Sequence, residues 1–138
     1  MTVFMDTSAI FAVLDREDQN HALATSRLMY LISRDAVLIT SNYVVVETCA
    51  LLQRRLGTKV LSTFRDEVLP SLMVQWVSQL QHEIAFASLL ASGRRKLSLV
   101  DCVSFRVMRD LEVRVAFAFD GHFDEEGFDC GIPSATAR

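Results

Sequence analysis

Short apolar runs alternate along the chain with longer segments in which apolar residues recur at helical spacing. Four runs have the length and the β-branched or aromatic content of buried strands: Thr2–Met5, Val37–Thr40, Met73–Val77 and Val113–Phe119. The periodic segments predict helices over residues 9–14, 21–33, 43–56, 58–68, 79–92 and 99–111. Strands that alternate with helices are typical of an α/β fold. We therefore predict three layers, α/β/α, with a mostly parallel central sheet of four to five strands.

Capping residues support several of these helix boundaries. Thr7 and Ser8 are favourable N-caps for the first helix, because a side-chain oxygen can accept a hydrogen bond from an unpaired backbone N–H. Gly57 and Gly93 each follow the last periodic residue of a helix, where glycine is favoured. Pro70 cannot continue a helix and predicts the end of segment 58–68.

Length and composition restrict the class of protein. A chain of 138 residues suits one domain over residues 1–138, and 51% hydrophobic residues exclude a disordered chain. Because Asp6 interrupts the apolar N-terminus, we expect no signal peptide. No stretch reaches the ~18 apolar residues that a membrane-spanning helix needs. The three cysteines form no C-x-x-C pair, which favours a reducing cytoplasm over a disulfide framework or a zinc site.

Four acidic residues fall where parallel strands would end. Asp6 follows the first strand, Asp120 follows the last, and Glu47 and Asp101 lie in the first turns of two helices. Ligands of open α/β sheets bind beyond the carboxyl ends of the strands, so the fold gathers all four at one edge. Each carboxylate has apolar neighbours in the sequence, and burying it is costly unless it is paired or bound to a metal.

Each acid also has a purely structural interpretation. Asp101 can complete a capping box with Ser98, and Asp6 can cap the first helix. Glu47 can be a solvated helix residue, and Asp120 before Gly121 can be a turn residue. The joint pattern favours a site, because four gathered carboxylates repel one another and a divalent cation removes that repulsion. Ligands with oxygen alone indicate Mg²⁺ or Mn²⁺, and such ions serve displacement at phosphorus.

At these residues the sequence resembles the PIN-domain (PilT N-terminus) nucleases, and among them the VapC-type toxins of type II toxin–antitoxin systems. The resemblance rests on four motifs in the family's order and spacing: Met5–Ala9, Asn42–Thr48, Leu97–Phe105 and Ala118–Phe123. It implies a PIN-like fold and a metal-dependent endoribonuclease that hydrolyses RNA phosphodiester bonds by metal-activated water.

The resemblance also implies the residues of the site. It assigns the catalytic carboxylates to Asp6, Glu47, Asp101 and Asp120, of which Asp6 and Asp101 hold Mg²⁺, with Mn²⁺ as a substitute. Ser8 is implied as the hydrogen-bonding partner that orients the site. Beyond this set, we predict that the basic residues Arg94, Arg95 and Lys96 contact RNA phosphates, the alternative being that they only solvate their loop. A second basic cluster, Arg54, Arg55 and Lys59, lies near the middle of the sequence. The net charge of the chain is −3.

The family further implies a small cognate antitoxin and a homodimer. The apolar run Leu28–Ile32 and the leucines 51, 52 and 56 could serve such partners or could belong entirely to the core.

Other function classes fit the sequence less well. A haloacid-dehalogenase-type phosphatase requires a second Asp at the position that Ser8 occupies. A response-regulator receiver requires paired acidic residues early in the chain and a Lys after a late strand. The sequence shows neither pattern. A PIN-like domain that acts in RNA processing, or as a non-catalytic interaction module, remains the alternative to a toxin.

Overall fold

A computed structural model describes residues 1–135. Within them, four parallel strands form one sheet in the order β3-β2-β1-β4: β1 Thr2–Met5, β2 Val37–Ser41, β3 Met73–Gln75 and β4 Val115–Phe117. In the same residues, seven α-helices connect and cover the strands: α1 Thr7–Leu14, α2 His21–Ser33, α3 Asn42–Leu56, α4 Thr58–Thr63, α5 Gln79–Ser92, α6 Leu99–Asp110 and α7 His122–Glu125. The predicted α/β architecture with a parallel sheet is confirmed.

The central strand β1 fixes the register of the sheet. Phe4 lies opposite Ile39 of β2 on one side and opposite Ala116 of β4 on the other. All three residues are buried. A strand that is apolar on both faces is what a sheet with helices on both sides requires.

Three predicted elements differ from the structure. The strands predicted over 73–77 and 113–119 are shorter, since β3 ends at Gln75 and β4 spans only Val115–Phe117. The helix predicted over 58–68 is α-helical only to Thr63, and continues as a π-helical turn, Phe64–Val68, and a 3₁₀ turn, Leu69–Ser71. Pro70 explains the break, because its ring would clash with the carbonyl four residues earlier in an α-helix.

The short helix α7 was expected only as a turn, and packing explains why it forms. Phe123 is fully buried, and its ring centroid lies 5.1 Å from that of Phe105 on α6 and 6.2 Å from that of Phe4 on β1. The contact with Phe105 is edge-to-face, the geometry that aromatic pairs prefer. Phe123 therefore fixes α7 against the core, and with it the loop that carries Asp120.

We expect Phe123→Ala to lower the free energy of unfolding by about 3–5 kcal/mol, because it opens a cavity in this aromatic cluster. Phe86→Ala is the matched control, since Phe86 is 43% exposed on α5, and we expect it to cost much less. Urea denaturation followed by circular dichroism measures both. Equal losses for the two variants would show that Phe123 does not anchor α7.

Candidate active site

Asp6 links the sheet, the first helix and the site. Its backbone N–H donates to the carbonyl of Phe117 on β4 at 3.0 Å. Its side chain is the N-cap of α1, where Oδ2 accepts from the backbone N–H of Ser8 at 3.1 Å. The residue is only 3% exposed. The capping interpretation is therefore correct, with Asp6 in place of Thr7 and Ser8 as the cap, and it does not exclude a role in the cleft.

Ser8 joins two of the acidic segments through one hydroxyl group. Its Oγ donates to Asp6 Oδ2 at 2.6 Å and accepts from the backbone N–H of Phe119 at 2.9 Å. Phe119 immediately precedes Asp120 in the chain. The hydroxyl thus holds the Asp6 carboxylate and the loop after β4 in a fixed relation.

Asp101 completes a capping box and still belongs to the cleft. Its Oδ2 accepts from the backbone N–H of Ser98 at 3.0 Å, and its own N–H donates to Ser98 Oγ at 3.1 Å. A carboxylate has about four lone-pair positions, so one hydrogen bond leaves acceptor capacity for a cation. The capping box orients the side chain at the start of α6.

Three of the four predicted carboxylates come together. One oxygen from each of Asp6, Asp101 and Asp120 lies within 4.8 Å of the others. Asp120 is in the loop beyond β4, where its Oδ1 accepts from the backbone N–H of His122 at 3.0 Å. Glu47, on α3, lies outside this close group but lines the same cleft, whose volume is about 560 Å³.

Burial and mutual repulsion raise the pKa values of Asp6, Glu47 and Asp101. Burial is the main cause that raises the pKa of Asp6 to about 7, and the charges of Asp120 and Asp101 add to it against the lowering effect of the Ser8 hydrogen bonds. Burial is also the first cause that raises the pKa values of Glu47 and Asp101. An opposite charge close to these carboxylates would favour their ionised forms and lower their pKa values.

The donor set fits a hard divalent cation. Oxygens on opposite sides of Mg²⁺ lie about 4.2 Å apart, since each Mg–O distance is about 2.1 Å, and the Asp6, Asp101 and Asp120 oxygens come within 4.8 Å. Among residues 1–135, no nitrogen or sulfur ligand belongs to this close group, and Mg²⁺ and Mn²⁺ prefer such a set of oxygen ligands. The structure therefore places Asp120 beside Asp6 and Asp101, the pair of ligands that the resemblance implied.

The basic residues of the loop before α6 take different places. Arg94 is bound to α7, with its guanidinium 2.6 Å from Glu125 Oε2 and 3.4 Å from His122 Nδ1. Lys96 lines the cleft, whereas Arg95 does not, so the structure gives no support to the predicted contact of Arg95 with RNA. Arg54 of α3 also lines the cleft, although the sequence analysis assigned it no role. Its signal was its position seven residues after Glu47, on the same face of one helix.

We expect the metal-free protein to lose stability as the pH rises from about 4 to about 7. Asp6 has an ordinary pKa of 3.8 and a folded-state pKa of about 7, so between these values the folded state holds a proton that the unfolded chain has released. The free energy of unfolding then falls by at most about 1.4 kcal/mol per pH unit for this group. Urea denaturation in EDTA across this range tests the slope. In Asp6→Asn the slope should be shallower; an identical slope would contradict the prediction.

We expect Mn²⁺ to stabilise the protein through the same carboxylates. An ion that binds only the folded state adds about 2.7 kcal/mol at a hundredfold excess over Kd, which raises Tm by roughly 5 °C or more for a chain of this size. Asp6→Asn should blunt the rise, and Asn keeps the capping acceptor. The exposed Asp66→Asn is the control and should respond like wild type. A Tm of wild type that millimolar Mn²⁺ leaves unchanged would argue against the site.

The chain matches known proteins along nearly its whole length. The family model of the PIN domain matches residues 3–128. The chain is 36% identical over 127 residues to the 23S rRNA-specific endonuclease VapC20 of Mycobacterium tuberculosis, a match that covers 91% of this chain and 95% of VapC20. The crystal structure of M. tuberculosis VapC20, described as a sarcin-ricin loop cleaving toxin, superposes with a TM-score of 0.84 and 32% identity over 95% of this chain and 99% of that one.

A more distant structure shares the fold. FitAcB from Neisseria gonorrhoeae matches with a TM-score of 0.65 and 16% identity over 92% of this chain and 94% of that one. The resemblance drawn from the four motifs is confirmed by the family model and by the two matches to VapC20. The chain belongs to the PIN-domain family.

Proposed function

We propose that the protein is a metal-dependent endoribonuclease and the toxin of a toxin–antitoxin pair. The proposal is carried by the cluster of Asp6, Asp101 and Asp120 oxygens, in a chain that is 36% identical to a ribosomal RNA endonuclease over nearly its full length. The family match and this relative favour a toxin nuclease over RNA processing or a non-catalytic module.

Each acidic side chain has a distinct place in the proposed reaction. Asp6, Asp101 and Asp120 would hold Mg²⁺, or Mn²⁺ in its place, and Ser8 keeps Asp6 oriented through its 2.6 Å hydrogen bond. Glu47 lines the same cleft from α3, and in this proposal its carboxylate would accept a hydrogen bond from the attacking water. When bound, the ion supplies an activated water and neutralises charge on the leaving oxygen.

We propose a structured ribosomal RNA loop as the substrate to test first. VapC20 is named for its action on 23S rRNA, and its structure is described as that of a toxin that cleaves the sarcin-ricin loop. The match to the VapC20 structure covers 95% of this chain, and Asp6, Glu47, Asp101 and Asp120 all lie within the PIN family match over residues 3–128.

An apolar cavity supports the antitoxin as a partner. A cavity of about 190 Å³ lies between α1, α2 and the turn at 64–71, and Val13, Leu14, Leu28 and Ile32 are among the side chains that line it. Ile32 is 62% exposed. Of the predicted partner run Leu28–Ile32, the structure buries Leu31 completely and leaves the α2 side that bears Ile32 available to a docking segment.

A second apolar surface supports a homodimer. Leu80, Ile84, Phe86 and Leu90 are exposed on α5, and Trp76, just after β3, is 73% exposed. Exposed large apolar side chains in this number are typical of a protein–protein interface.

We place the protein in the cytoplasm, where its RNA substrate is. Within residues 1–135 no helix combines the length and apolarity needed to cross a bilayer. The three cysteines, Cys49, Cys102 and Cys130, are all free, which suits a reducing compartment.

We expect the protein to cleave a synthetic sarcin-ricin loop hairpin in Mg²⁺ or Mn²⁺, and to stop when EDTA is added. Asp6→Asn and Asp101→Asn should lower the rate at least a hundredfold, because each removes a charged ligand and retains the capping acceptor. Gel electrophoresis of end-labelled RNA measures the rates, and Asp66→Asn is the control. Asp-to-Asn variants that cleave at the wild-type rate would overturn the assignment of the site.

The chemistry of the product ends tests the water mechanism separately. Attack by water leaves a 5′-phosphate and a 3′-hydroxyl, which ligation and phosphatase treatment identify. A 2′,3′-cyclic phosphate would show attack by the RNA 2′-hydroxyl and would exclude activated water, even in a genuine ribonuclease.

A further inference from the structure

Two cationic side chains line the acidic cleft on separate elements. Arg54 projects from α3, and Lys96 lies in the loop between α5 and α6. Both residues are exposed, and both share the cleft with Asp6, Asp101 and Asp120. The cleft therefore combines an acidic centre with two cations on its walls.

Neither cation is neutralised by the carboxylates beside it. Elsewhere arginines pair with acids at 2.6–2.8 Å: Arg65 with Asp66, Arg94 with Glu125, Arg106 with Asp110, and Arg109 with Glu126. In the part of the chain that the structure describes, Arg54 and Lys96 make no ion pair of this kind. Their charges are available to an anion that enters the cleft.

The spacing along α3 separates Arg54 from Glu47. It follows Glu47 by seven residues, which is about two helical turns and about 10 Å along the axis of α3. Ala50 and Leu51, between them, also line the cleft. Lys96 precedes Asp101 by five residues and approaches from the start of α6. The two cations thus reach the same cleft from separate elements, α3 and the loop before α6.

A polyanion needs such groups to enter this cleft. The carboxylates repel RNA phosphates, and a bound ion offsets that repulsion only at the centre. A guanidinium binds a phosphate through two parallel hydrogen bonds, while an ammonium acts as a point charge. We propose that Arg54 and Lys96 form a clamp that binds the RNA phosphates on either side of the scissile phosphate. The inference rests on the proposed function and specifies how the same cleft holds its substrate.

Adjacent residues provide matched controls of equal charge. Arg55 follows Arg54 but stacks its guanidinium over Phe11, 5.3 Å from the ring centroid. Arg95 precedes Lys96 and does not line the cleft. Replacing either control residue by Ala changes the net charge by the same amount as replacing a clamp residue. A difference in RNA affinity within a pair therefore reports a local contact and not the loss of charge alone.

RNA binding is the first test, measured on the Asp6→Asn protein so that the hairpin stays intact. Fluorescence anisotropy from 50 to 200 mM salt gives Kd and its salt dependence. Adding Arg54→Ala or Lys96→Ala should raise Kd about tenfold and reduce the slope of log K against log salt by about 0.7, the value for one phosphate contact on a single strand. Arg55→Ala and Arg95→Ala should change Kd less than twofold. Equal effects within the pairs 54/55 and 95/96 would overturn the clamp.

Cleavage kinetics on the wild-type background separate the clamp from the proposed function. Arg54→Ala should raise KM about tenfold and leave kcat nearly unchanged, since a flanking phosphate is bound alike in the ground and transition states. Arg54→Lys should recover part of the loss, because it keeps the charge without the two-pronged hydrogen bonding. A fall in kcat at constant KM would overturn the flanking position. If wild type neither binds nor cleaves the hairpin, the proposed function fails together with the clamp; if wild type cleaves and Arg54→Ala matches Arg55→Ala, only the clamp fails.

Discussion

Burial of the Asp6 carboxylate is the constraint on which the rest of the site depends. The residue cannot leave its position, because its N–H binds β4 while its side chain caps α1. Its position sets the distance from its carboxylate to those of Asp101 and Asp120. The Ser8 hydroxyl binds both this carboxylate and the backbone of the loop after β4, so it holds that loop in a fixed position relative to Asp6. The energetic consequence is a pKa of about 7 for a group whose ordinary value is 3.8. The fold therefore carries an unfavourable charge at its sheet edge, which a bound cation would relieve.

Structural and chemical roles coincide at two of the acids. Asp6 and Asp101 both cap helices, and both lie in the carboxylate cluster. A capped helix start is rigid, and its exposed N–H groups favour a negative side chain. The interactions that help α1 and α6 begin thus also orient the oxygens in the cleft. In the sequence, capping a helix and binding a metal looked like exclusive roles for Asp6 and Asp101. In the structure, each side chain caps its helix and still presents an oxygen to the cluster.

The sequence was sufficient to predict the sheet and the gathering of acids, because both follow from local patterns. Apolar runs located β1 and β2 nearly to the residue, and the rule for strand ends brought Asp6, Asp101 and Asp120 together. The helix α7 could not be predicted in this way, since it depends on Phe123 reaching partners on β1 and α6. Arg54 was seen in the sequence as part of a basic cluster but was given no role. Its spacing from Glu47 puts both residues on one face of α3, and the packing of α3 beside α6 then shows that this face borders the cleft.

The two edge strands of the sheet, β4 and β3, are protected against pairing with strands of other molecules. The outer side of β4 is occupied by the segment around Asp129, whose carbonyl accepts from Ala116 N–H at 2.9 Å while its own N–H donates to Arg114 at 2.8 Å. The opposite edge, β3, is only three residues long. Unpaired edge strands are templates for aggregation, and proteins suppress them by covering or shortening them. A truncation that removes residues from 128 onward would uncover β4, so the segment after α7 protects the sheet as well as ending it.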